Sequence, residues 1–189
     1  AQAVLKAPGL HNVRNALAAS AAATALEVPA PAIARGLAGY TGIKGRLQKK
    51  AALHGATLID DTYNANPESV RAAVAVLAQA PGRRLLVLGD MGELGAGTAQ
   101  MHAEVGRFAR ESGVERLLTL GEHAARAAHA FGAGGRHFTR IEDLLAEVEN
   151  ALTPDVVVLV KGSRFMQMER VVQSFELRVP NSDLEGKHA

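Results

Sequence analysis

Four stretches of the chain carry side chains suited to ligand chemistry. Asp60-Asp61-Thr62-Tyr63-Asn64-Ala65-Asn66-Pro67 sets two carboxylates after an apolar run and two carboxamides before a proline. Asx residues and proline in this order favour a strand-to-helix turn with a side-chain cap. A carboxylate at the end of a strand also accepts hydrogen bonds from ribose hydroxyls, as an acidic residue does in dinucleotide sites. The residue types leave both readings open.

Gly89-Asp90-Met91-Gly92-Glu93-Leu94-Gly95 has glycine at every third position, which lets the backbone come close to a ligand. It matches neither the dinucleotide G-x-G-x-x-G pattern nor the phosphate-binding G-x-x-x-x-G-K-[ST] loop. Lys161-Gly162-Ser163-Arg164 follows the run VVVLV. A helix start with added basic side chains attracts anions; a solvated cap with incidental charges is the plainer alternative. Asn12 and Asn15, with His11, lie within four residues of one another at the start of an Ala-rich run, so they sit close on a helix surface. A carboxamide offers donor and acceptor side by side and can read an adenine edge, while ordinary capping by Asn12 accounts for it as well. No second His or carboxylate stands at ligand spacing from His11, and no metal site is expected.

The elements that must position these groups follow from periodicity and punctuation. The run NALAASAAATALEV favours helix, Pro29 and Pro31 interrupt it, and PAIARGLAGY reads as a second short helix with proline in its first turn. Gly42 and Gly45 mark a boundary. Residues 46–55 and 56–63 read as two strands around Gly55. Helix from Pro67 to Gln79, strand at Leu85–Gly89, helix from Thr98 to Ser112 with Met101, Val105, Phe108 and Ala109 on one face, and strand at Leu117–Leu120 follow. Helices near Glu122–Phe131 and Ile141–Ala151, a buried strand at Val156–Gly162 and a last helix at Phe165–Phe175 complete the alternation. Apolar strands separated by helices predict an α/β fold: a Rossmann-like, mostly parallel sheet with helices on both faces, preceded by two helices. In such sheets the carboxyl ends of strands carry function, and three of the four clusters fall there.

Composition narrows the class. The 189 residues are 48% hydrophobic, only 4% aromatic, carry a formal charge of +2 and contain no cysteine. Disulfides and thiolate metal sites are excluded. No basic stripe marks a nucleic-acid partner. No stretch approaches the roughly 20 apolar residues of a membrane span, and no membrane partner is expected. The chain opens Ala1-Gln2-Ala3, without Met, and is expected to be a piece of a longer protein.

Taken together, His11-Asn12-x-x-Asn15-Ala16-Leu17-Ala18-Ala19, Gly45-Arg46, DDTYNANPES, LGDMGELG and VKGSR occur in the order found in the Mur ligases, and the resemblance runs from about Gly9 to Val172. DDTYNANP and GDMGELG are similar to the branch that joins D-alanyl-D-alanine to UDP-N-acetylmuramoyl-tripeptide in cytoplasmic peptidoglycan synthesis. The resemblance implies a three-domain ATP- and Mg2+-dependent amide ligase working through an acyl phosphate. Residues 1–45 would then be the end of the central ATP-binding domain, 46–178 the C-terminal domain and 179–189 a disordered tail. It implies Asn12 and Asn15 at the adenine, Arg46 as the catalytic group on the ATP phosphates, and Asp61 on the ribose with Tyr63 beside the nucleotide. Asn64, Asp90, Glu93, Lys161, Ser163 and Arg164 would serve the substrates, Asp90 and Glu93 at the ammonium. Arg46 and Asp61 are expected near the surface. The family's phosphate-binding loop and its metal ligands do not occur in the chain, so no tight nucleotide binding and no ligation are expected from it alone. Competing readings are another Mur or folylpolyglutamate ligase domain, or a non-catalytic nucleotide-binding module on the same fold. A nicotinamide dehydrogenase domain is disfavoured by the missing fingerprint.

Overall fold

The structure, a computed structural model, describes residues 3–5, 10–40 and 42–177. The expected disorder of residues 179–189 and the side chain of His11 lie outside what it describes. Two helices come first, α1 (Leu10–Ala25) and α2 (Ala30–Gly39). Pro29 is the N-cap of α2 and Pro31 occupies its first turn, where a missing N–H costs nothing. Among the described side chains, none in α1 or α2 is buried. Leu17 and Leu26 remain 65% and 79% exposed, although both helices were read from apolar, Ala-rich runs.

A six-stranded sheet follows, ordered β1-β2-β6-β3-β4-β5. Its strands are β1 (Gln48–Ala51), β2 (Thr57–Asp61), β3 (Arg83–Gly89), β4 (Arg116–Leu120), β5 (Gly135–Phe138) and β6 (Val156–Lys161). All neighbours pair in parallel except β1, which runs antiparallel to β2. β6 is buried along its whole length, as expected for a β-branched run covered on both faces.

Helices α3 (Pro67–Ala78), α4 (Thr98–Glu111) and α5 (Ala125–Phe131) pack on one face, and α6 (Ile141–Ala151) and α7 (Glu169–Phe175) on the other. Strand alternation separates the two cores. Ile59, Leu86, Leu88, Leu117 and Leu159 belong to the first, and Leu58, Leu85, Val87, Leu118, Val158 and Val160 to the second. With so few aromatics, close approach takes the place of bulk. A Cβ on Gly106 of α4 would lie 2.1 Å from the Ala127 carbonyl of α5.

Three expectations need correction. The segment 46–55 holds a strand of only Gln48–Ala51, followed by a 3-10 turn at Leu53–Gly55 with His54 at φ 56 and Gly55 at φ 77. The strand β5 was not foreseen. Gly135-Arg136-His137-Phe138 has no buried residue and pairs only with β4 at the sheet edge, so it lacks the apolar run that marks the inner strands. The last helix begins at Glu169, because Arg164–Met166 forms a 3-10 turn and Gln167 takes φ 50.

Candidate functional site

The sheet opens at the carboxyl ends of β2 and β6. Asp61 and Lys161 are paired in the parallel register there. The chain leaves β2 for α3 on one face and β6 for α7 on the other, and ligands in open α/β sheets bind at such points of divergence. A cleft of about 560 Å³ lies here, walled by Asn12 and Asn15 of α1, Tyr40, Ile43 and Arg46 of the connection, and Asp61, Tyr63, Asn64, Glu68 and Lys161.

The position of Arg46 is set by its neighbours. Gly45 adopts φ 72 and its carbonyl accepts from Tyr63 N at 3.0 Å; a Cβ there would meet that nitrogen at 3.1 Å. Leu47 also takes a positive φ, 49, with its side chain 4% exposed and its N–H donating to Asp61 Oδ1 at 3.2 Å. This conformation is costly for a residue with a branched side chain, so the buried leucine and the carboxylate together hold the turn. Arg46 between them lies over the Tyr63 ring, 4.4 Å from its centroid. Such stacking leaves the edge of a guanidinium free to donate. Among the described residues Arg46 makes no ion pair.

Asp61 is buried at 8% exposure rather than near the surface as the sequence suggested. Its Oδ2 accepts from Lys161 Nζ at 2.6 Å, and that ammonium also donates to the Asn64 carbonyl at 2.8 Å. Burial pushes the Lys161 pKa down, the Asp61 charge draws it back up, and the charge of Arg46 adds a smaller downward push. Its neighbour Asp60 points elsewhere. Its carboxylate accepts from Thr62 Oγ1 at 2.7 Å and pairs with Lys50, which also holds Glu176. Those two acidic partners raise the Lys50 pKa against the opposing effect of burial.

The carboxamides divide their work. Asn66 caps α3 and forms a reciprocal capping box with Ser69, so the turn reading of this motif holds for that residue. Asn64 is exposed and its Oδ1 accepts from Ala65 N at 2.9 Å.

Ser163 ties three motifs together. Its hydroxyl accepts from Gly92 N at 2.6 Å and donates to the Ala65 carbonyl at 3.0 Å, and its own N–H donates to the Asp90 carbonyl at 2.9 Å. Asp90 is itself buried, with Oδ1 accepting from His123 N and Ala124 N at the approach to α5. Glu93 is exposed and takes φ 61 in this pinned loop. Arg164 points to solvent and pairs with Glu169 at 3.1 Å, its side chain 65% exposed. Asp90, Glu93, Ser163 and Arg164 do not line the cleft.

Sequence reasoning missed His102. It is fully buried on α4, donates from Nδ1 to the Thr98 carbonyl at 2.7 Å and accepts at Nε2 from Met91 N at 2.9 Å. Only a neutral imidazole can do both, and burial holds its pKa below the ordinary value. The signal was present: positions 102, 105 and 109 share the helical spacing of the buried face. Tyr40 and Ile43, also on the cleft wall, had no motif to mark them.

The fold and this cleft define the chain's class. It matches the family described as Mur ligase, glutamate ligase domain, over residues 45–164, and it belongs to the Mur ligase family. Among curated relatives it is 41% identical over 180 residues to the UDP-N-acetylmuramoyl-tripeptide--D-alanyl-D-alanine ligase of Escherichia coli K12. That alignment covers 92% of this chain and 38% of the relative, so the chain spans well under half the length of the proteins it matches. Among solved structures it superposes on MurF from Acinetobacter baumannii with TM-score 0.83 at 37% identity, covering 91% of this chain and 38% of that one. MurF ligase from Thermotoga maritima, solved in complex with ADP, superposes with TM-score 0.65 at 25% identity over 74% of this chain and 32% of its own.

Proposed function

We propose that this chain forms the closing part of an ATP-dependent amide ligase that joins D-alanyl-D-alanine to UDP-N-acetylmuramoyl-tripeptide in cytoplasmic peptidoglycan synthesis. Residues 1–45 are assigned to the end of the central ATP-binding domain and 46–178 to the C-terminal domain. The observation that carries this reading is the cleft itself, which gathers Asn12, Asn15, Arg46, Asp61 and Tyr63 from both sides of that boundary. The 41% identity to a ligase of this reaction supports the choice of substrates.

The residues present fit a nucleotide. Two carboxamides offer paired donors and acceptors for a base, Tyr40 and Tyr63 offer flat apolar faces, and Arg46 offers N–H groups unspent on ion pairs among the described residues. The described residues gather no group of three metal-ligating side chains. ATP supplies the phosphoryl group that activates the tripeptide carboxylate. Arg46 stabilises the charge that shifts during this transfer, held over Tyr63 by the Gly45–Leu47 turn. Asp61 turns a carboxylate lone pair to the ribose while fixing that turn. Asp90 holds the Gly89–Gly95 loop in shape, and Glu93 at its tip receives the dipeptide ammonium. Arg164, at the mouth of the same edge, accepts the dipeptide carboxylate, with Ser163 and Asn64 shaping the wall between them.

Replacing the matching C-terminal 38% of the E. coli ligase with this chain tests the proposal. The expected chimera releases phosphate only when the UDP-tripeptide and D-alanyl-D-alanine are both present. A folded chimera that ignores the dipeptide overturns the proposal.

A further inference from the structure

Lys161 was grouped by sequence with the dipeptide-binding residues, and its surroundings argue for another ligand. It ends β6 beside Asp61, is 2% exposed, and lines the same cleft as Arg46, Asn12 and Asn15. Its ammonium carries three N–H groups. Among the described residues one goes to Asp61 and one to the Asn64 carbonyl, which leaves a third for whatever fills the cleft. The charged side chains of the cleft, among the described residues, are Arg46, Asp61, Glu68 and Lys161. Asp61 is already engaged with Lys161 in the buried floor, and Glu68 is exposed on the first turn of α3. Among the described residues the cation without a counter-charge is Arg46, and it lies near enough to Lys161 to act on it electrostatically.

We propose that Lys161 gives its third N–H to the phosphate end of a nucleotide bound in the cleft, beside Arg46, and does not receive the acceptor dipeptide. The inference rests on the nucleotide reading above and deepens it. A zwitterionic dipeptide brings no net charge to this site, whereas a nucleotide phosphate supplies the counter-charge that Arg46 lacks and accepts short charge-assisted bonds from both cations. Of the remaining candidates for the dipeptide, Asp90, Glu93, Ser163 and Arg164 lie off this cleft, and Asn64 lines it only at the wall its own carbonyl shares with Lys161. The Lys161 charge is thus directed at the phosphate, while its two other bonds keep the Asn64 loop and the Asp61-held Arg46 turn in place.

The test compares adenosine with ADP, without added metal, on the 189-residue chain by calorimetry and amide NMR. The ratio of their affinities isolates the phosphate, because base and ribose are common to both. Wild type should prefer ADP by about tenfold or more, the size of one hydrogen bond to a charged group. The double variant Asp61→Asn/Lys161→Met, which strands neither partner's charge, should lose most of that preference while its amide spectrum stays dispersed. Lys161→Gln keeps a donor without the charge and should show the same loss, which covers the case in which the double variant does not fold. An unchanged ADP:adenosine ratio in a folded variant overturns the inference and leaves the nucleotide site standing. Equal binding of both ligands by wild type does the same. Because binding to this chain alone is expected to be weak, the titrations run to high ligand concentration, and binding of neither even there removes the nucleotide reading and this inference with it. A D-alanyl-D-alanine titration that loses its effect in Lys161→Gln would return the lysine to the dipeptide and overturn the proposal.

Discussion

Asp61 and Lys161, a hundred residues apart in sequence, meet at 2.6 Å on adjacent strands at the buried edge of the sheet. The carboxylate also holds Leu47 N, and the ammonium also holds the Asn64 carbonyl, so one ion pair fixes both walls of the cleft. Removing one member leaves a buried charge without its partner. Asp61→Asn should therefore cost about 3–5 kcal/mol of stability, and so should Lys161→Met. The double variant should cost clearly less than the sum of the two, because the residues are in direct contact. Urea unfolding of the three variants measures this, and additive losses would show that the pair is not coupled.

His102 makes stability depend on pH. Its folded pKa is held below the ordinary value, mainly by burial, so the fold binds fewer protons than the unfolded chain. The stability it contributes is complete above the unfolded value of about 6.5. It is lost as pH falls through the folded value. His137, whose pKa is also lowered by burial, acts in the same direction. The difference between wild type and His102→Gln isolates the buried residue. Between pH 8 and 5, wild type should lose more stability than the variant. Parallel curves would mean that burial does not lower the His102 pKa in the folded protein.

Close packing of α4 on α5 predicts a contrast between two glycines. Gly106→Ala would set a methyl 2.1 Å from the Ala127 carbonyl, and should cost about 1–3 kcal/mol or more as the helices separate. Gly36 lies within α2 with nothing within 4 Å of the added atom, so Gly36→Ala should be neutral or stabilising by roughly 0.5–1 kcal/mol. Melting temperatures of the two variants give the answer, and equal destabilisation would contradict the packing described.

Arg46 and Tyr63 offer a kinetic test in the E. coli chimera. A group acting on charge in the transition state affects turnover more than binding. Arg46→Ala should lower kcat by roughly two orders of magnitude. Tyr63→Phe preserves the ring under the guanidinium and should stay within about twofold of wild type, whereas Tyr63→Ala should fall between. Wild-type turnover in Arg46→Ala would remove the arginine from the mechanism.

Local chemistry made much of the fold legible. The run VVVLV at 156–160 can only be an inner strand of a covered sheet, and Asn66-Pro67 with Ser69 specifies a helix start whatever surrounds it. Both signals are short-range: side-chain branching and capping act within a few residues. β5 was illegible for the same reason. Arg136 and His137 carry no strand preference, and the segment is a strand because the edge of β4 offers it hydrogen bonds.

The site residues divide in the same way. Motif order and the resemblance it carries marked Asn12, Asn15, Arg46 and Asp61 for the nucleotide and Lys161 for the dipeptide. Which of them meet depended on strand register. Pairing Asp61 with Lys161 buried both side chains, and Leu47 N and the Asn64 carbonyl became their partners. The alternation of side chains along β2 sent Asp60 to Lys50 and Asp61 to the cleft, although the two are adjacent and identical in chemistry. His102, which no motif marked, became the anchor of the Met91 loop once α4 packed against the sheet. A side chain's type is encoded at its own position, whereas its burial, partner and protonation arise from chain segments brought together over a hundred residues, and only the folded arrangement decides those.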